Sequence, residues 1–130
     1  MGRERGRWSL PLGDEKPARY WFEIIVPSHG RDATVFYVRS GKDYTSTDVS
    51  LREITNVLRQ IMGAQLDMFF PEPILIGTGQ NMIVLLHLTR KEMYQMEKVI
   101  AAAMFHLLRQ RAISFLPNPL RRLFDAFRIF

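Results

Sequence analysis

The feature that most constrains this chain is local, and it occurs twice. Ser50 stands three residues ahead of Glu53 at the head of LREITNVLRQIMG, and Thr89 stands three ahead of Glu92 at the head of RKEMYQMEKVIAAAMFHLLRQR. In that spacing the hydroxyl accepts from the N–H three residues on, while the carboxylate reaches back to the N–H of the hydroxyl residue. Two donors left free at a helix start are then satisfied together. Behind the first box Leu51, Ile54, Val57, Leu58 and Ile61 recur at helical intervals, and behind the second Met93, Met96, Ile100, Ala103, Met104 and Leu107 do so. Two helices are therefore predicted, with Gly63 expected to end the first in a left-handed turn.

Each helix is preceded by two runs of strand type. RYWFEIIVP and ATVFYVRSG flank the turn cluster PSHGRD, and the polar GKDYTSTD leads from them as a connector to the first helix. FFPEPILIG and NMIVLLHL flank GTGQ, with the two prolines pushing the first of these toward a sheet edge. The predicted class is α+β: a four-stranded antiparallel sheet in ββαββα order, its helices packed on one face. Alternation puts Tyr20, Phe22, Ile24 and Val26 on one side and Trp21, Glu23 and Ile25 on the other. A one-residue slip in the partner strand exchanges Phe36 and Tyr37 between those faces. Residues 82–88 are apolar on both sides, so a cover for the second face is expected from the arm, the closing segment or another chain.

Three regions follow. Residues 1–19, with three glycines and two prolines, are expected to be a flexible basic arm, tacked to the body by Trp8 and Leu10. Residues 20–112 form the core domain. Residues 113–130 are expected to be a linker and a short C-terminal amphipathic helix, capped by Asn118 with Pro119 at its first position. Its apolar stripe, Leu120, Leu123, Phe124 and Phe127, reads as a protein interface, since so short a helix forms only by docking. Arg121, Arg122 and Arg128 face the other way with Asp125.

Charge divides along the same lines. Residues 1–19 carry a net +2 and residues 106–130 a net +4, around a central stretch at −1. Basic ends on a neutral body suit contact with polyanions. The longest purely apolar run, VIAAAMF, is far short of the roughly 20 residues a bilayer span needs. The opening MGRERGRWSLPLG has a basic start but no apolar stretch behind it, so no secretory signal is expected. With no cysteine in the chain, a cytoplasmic setting is the expectation.

Motifs for catalysis are weak. His29 sits in a turn, while His87 and His106 lack a second ligand at metal-binding spacing. The GTGQN glycines precede a strand where a phosphate-cradling loop needs a helix. No enzyme activity, metal or cofactor is expected. The aromatics are more informative, because single-stranded nucleic acid is held by π-faces for its bases and cations for its phosphates. The expected function is non-catalytic binding of single-stranded DNA or RNA by a homodimer. Trp21, Phe36 and Tyr37 would stack bases; Arg3, Arg5, Arg7, Arg19, Arg39, Lys42, Arg121, Arg122 and Arg128 would neutralise phosphates. The alternative is an oligomeric assembly or adaptor subunit, in which the aromatic face and the C-terminal helix make protein contacts.

Overall fold

Antiparallel pairing begins earlier in the chain than the sequence suggests. The structure, a computed structural model, describes residues 6–12, 20–28, 31–39, 44–66, 73–85, 88–114 and 119. Four consecutive strands, β1 (Arg7–Leu12), β2 (Tyr20–Ile25), β3 (Asp32–Arg39) and β4 (Tyr44–Ser50), form one antiparallel meander in chain order. Part of the expected arm is thus an edge strand. Trp8, Leu10 and Leu12 alternate with Arg7, Ser9 and Pro11, and Leu10 sits opposite Phe22 in the β1–β2 register. Pro11 is tolerated because an edge strand has one side free of ladder bonds.

Gly6 makes the entry to β1 possible. Its φ is +74°, and its carbonyl accepts from Val26 N–H at 2.6 Å. A Cβ at this position would lie 2.2 Å from the Val26 carbonyl oxygen. Only glycine combines that conformation with that approach.

Residues 44–48 of the expected polar connector belong to β4. Thr45, Thr47 and Val49 alternate with Ser46 and Asp48, and Val49 is fully buried. The β-branched residues suit the half-covered side, while the polar ones take the other. Thr34 Oγ1 donates across the strands to Asp48 Oδ1 at 2.8 Å.

The chain passes directly from β4 into α1 (Leu51–Leu66), and later into α2 (Arg90–Ser114). Both capping boxes are formed. Ser50 N–H donates to Glu53 Oε2 at 2.8 Å and Glu53 N–H to Ser50 Oγ at 3.3 Å. Thr89 N–H donates to Glu92 Oε1 at 2.9 Å and Glu92 N–H to Thr89 Oγ1 at 3.1 Å. Gly63 does not end α1, which continues to Leu66. Glycine costs a helix interior about 1 kcal/mol relative to alanine. The following turn offsets this by burying Ala64 and by donating from Gln65 Nε2 to Glu97 Oε2 of α2 at 2.9 Å.

The expected third and fourth strands do not join the meander. β5 (Ile74–Ile76) and β6 (Ile83–Leu85) make a separate two-stranded ribbon, turned by a single 3₁₀ turn at Gly79–Asn81. The described order is therefore ββββαββα. Gly77, at φ +82°, brings the ribbon against β4, where its Cβ position would fall 2.5 Å from Thr47 Oγ1. The outward edge of β5 is closed by one side chain. Gln60 Nε2 donates to the Leu75 carbonyl at 2.9 Å, and Leu75 N–H donates to Gln60 Oε1 at 2.8 Å.

The core lies between the helices and one face of the meander. Phe22, Ile24, Val35 and Val49 meet Ile54, Val57 and Ile61 of α1 and Met93, Met96, Ile100 and Leu107 of α2. Ile74, Ile76, Ile83 and Leu85 extend this cluster into the ribbon. The apolar character on both sides of residues 82–85 thus has a partial explanation: Ile83 and Leu85 are buried, and Met82 and Val84 stay exposed. The expected C-terminal helix lies outside the described residues. Among the described residues, no helix is long and apolar enough to cross a membrane.

Candidate nucleic-acid interface

Because Phe22 and Ile24 point into the core, Trp21, Glu23 and Ile25 must point to the opposite, outer face of the meander. The register assembles three cross-strand rows there. Arg7, Ile25, Thr34 and Asp48 form the first, Ser9, Glu23, Phe36 and Ser46 the second, and Pro11, Trp21 and Val38 the third. Trp21 is 43% exposed. Phe36, half-buried, is its diagonal neighbour across the β2–β3 pair, about 7–8 Å away by strand geometry.

The structure separates the other candidates. Tyr37 belongs to the inner face, stacked on Tyr20 with ring centroids 5.8 Å apart and planes 15° from parallel. It therefore does not share a platform with Trp21 and Phe36. Arg7 is on the outer face, its Nε 3.7 Å from Glu23 Oε2, so part of its charge is already answered. Arg39 closes β3 opposite Tyr20. Arg3, Arg5, Arg19, Lys42, Arg121, Arg122 and Arg128 lie outside the described residues, as do Leu120, Leu123, Phe124 and Phe127.

Sequence reasoning passed over a second cationic feature. On α1, Arg52, Asn56 and Arg59 recur at intervals of four and three on the side opposite Ile54, Val57 and Ile61, and all three are exposed. With Ser50 and Glu53 they line a shallow groove of about 420 Å³. Neither guanidinium has an acidic partner among the described residues. Their spacing was visible in the sequence, as the polar complement of the apolar stripe. These cations belong to the helical layer, so among the described residues the aromatic face and the unpaired charge on α1 are on different sides of the domain.

His106 has a packing role. Its ring meets Trp8 edge to face, with centroids 5.7 Å apart and planes 74° to each other, which ties α2 to β1. His29 and His87 are outside the described residues. Among the described residues, no group of three or more His, Asp or Glu side chains is arranged to hold a metal ion. Compared with known proteins, the chain matches no family model, and no curated protein or solved structure matches it significantly.

Proposed function

We propose that this domain binds single-stranded nucleic acid without catalysis, receiving a base on Trp21 at the outer face of the meander. The observation that carries the reading is a partly exposed tryptophan on the outer face of a four-stranded sheet whose helices pack on its other side. An indole in that setting presents a π-face to any base, and such stacking contributes about 1–3 kcal/mol per base. The net charge of +5 supports the same reading through phosphate neutralisation.

Fluorescence tests it directly. The chain has two tryptophans, and Trp8 is packed beside His106, so quenching by an oligonucleotide reports mainly on Trp21. With about four phosphates engaged, affinity for a single strand falls roughly fifty-fold between 50 and 200 mM salt. Trp21→Ala weakens binding by about 1–3 kcal/mol with the fold intact. Absence of binding at low salt, or equal affinity in Trp21→Ala, removes the proposal.

The assembly reading has its own support, in large apolar side chains exposed on the helical layer: Tyr94, Phe105 and Leu108 of α2. Contacts through α2 would leave the outer face of the meander free and are compatible with nucleic-acid binding, whereas protein contacts through the aromatic face itself would compete with it.

A further inference from the structure

α2 carries two stripes, one apolar and one apolar but for a single lysine. The first, Met93, Met96, Ile100, Ala103 and Leu107, is buried in the core. The second lies roughly on the opposite side and is made of Tyr94, Lys98, Ala101, Phe105, Leu108 and Ala112, spaced alternately four and three residues apart. A 4–3 alternation is the spacing of a seam between paired helices, and here it holds across most of the helix. Tyr94 is 54% exposed, Phe105 64% and Leu108 40%. None of them belongs to the core cluster.

We infer that this stripe is a homodimer interface, at which α2 packs antiparallel on α2 of a second copy about Ala101. The inference deepens the assembly reading and does not depend on nucleic-acid binding. A second copy is the occupant favoured by the pattern, because the stripe complements itself under a two-fold axis. Turned about Ala101, it sets Tyr94 against the partner's Leu108 and Lys98 against the partner's Phe105. The smallest side chain falls where the helix axes approach most closely. Lys98 Nζ already lies 4.5 Å from the centroid of the Tyr94 ring. Across the pair the same ammonium meets a second ring, a geometry that attracts cations. A parallel, in-register pair would instead set Lys98 against Lys98 within the seam and align the two helix dipoles. Burying the exposed parts of this stripe on both copies removes on the order of 1,000 Å² from water, at the lower edge of specific interfaces. An interface of that size is expected to be a weak, reversible one.

The chain has no cysteine, which makes cross-linking clean. Sedimentation of the full chain from low to several hundred micromolar is expected to show a monomer–dimer equilibrium. Phe105→Glu is expected to shift it to monomer with an unchanged circular dichroism spectrum, and to abolish any rise of melting temperature with protein concentration. At an antiparallel crossing about 8 Å between axes, the two Ala101 Cα atoms come within disulfide range, so Ala101→Cys oxidises to a covalent dimer. A mixture of Tyr94→Cys and Leu108→Cys cross-links faster than either variant alone. Gln80→Cys, in the exposed 3₁₀ turn, serves as the collisional control. A chain that stays monomeric throughout overturns the inference. A dimer that survives Phe105→Glu, or in which Ala101→Cys reacts no faster than the control, overturns this interface while leaving self-assembly standing. Cross-linking of Tyr94→Cys with itself refutes the antiparallel arrangement.

Discussion

Replacing Gln60 with alanine removes both hydrogen bonds that close the outer edge of β5, at 2.9 and 2.8 Å. A typical intramolecular hydrogen bond contributes about 0.5–1.5 kcal/mol net. The Gln60–Leu75 pair is solvent-accessible, so water recovers part of each loss, and the expected cost is about 1–2 kcal/mol, concentrated in the ribbon. Since about 1.4 kcal/mol corresponds to a factor of ten, the Leu75 amide should exchange its hydrogen roughly ten times faster under native conditions. Amides of β2 and β3, within the meander, should change much less. Gln60→Glu is a near-isosteric control. Its carboxylate still accepts from Leu75 N–H, but it sets an anionic oxygen against the Leu75 carbonyl, and it should be at least as destabilising as alanine. Residue-resolved hydrogen exchange by NMR, with urea unfolding alongside, reads both effects. If Leu75 in Gln60→Ala exchanges at the wild-type rate, the side chain does not close that edge and the reasoning fails.

Two further outcomes follow from the same kind of accounting. Ser50→Ala and Thr89→Ala each remove a capping hydroxyl and should lower stability by about 1 kcal/mol, measurable by thermal or urea unfolding. Gly6→Ala forces a Cβ against the Val26 carbonyl at positive φ, and about 2 kcal/mol or more should be lost. Detachment of β1 would uncover Trp8, seen as a red shift of tryptophan emission and as new proteolysis near the N-terminus.

The capping boxes were legible because each is complete within four residues, and no distant contact is needed to form it. β2 and β3 were legible because each is dense in aromatic and β-branched residues, with Glu23 the one charged residue inside β2. The signal for β1 and β4 was weaker. Arg7, Ser9 and Pro11 dilute the apolar positions of one, and Ser46 and Asp48 those of the other; each becomes a strand through pairing with a stronger neighbour. The outward placement of Trp21 could be read from the alternation within β2. Which of Phe36 and Tyr37 joins it could not, because that depends on inter-strand register. The groove of Arg52, Asn56 and Arg59 was readable as a helical stripe, whereas the lack of acidic partners among the described residues was not.

Short-range chemistry therefore settled where the helices begin and which of their sides are apolar, since capping and periodicity act over a few residues. Tertiary contacts settled the rest. Burial of Ala64 carried α1 past Gly63, the close approach of Gly77 to Thr47 set the ribbon beside β4, and pairing across the meander sorted aromatic side chains between core and surface. These outcomes rest on residues far apart in the chain, and their energies exist only once the chain has brought the partners together.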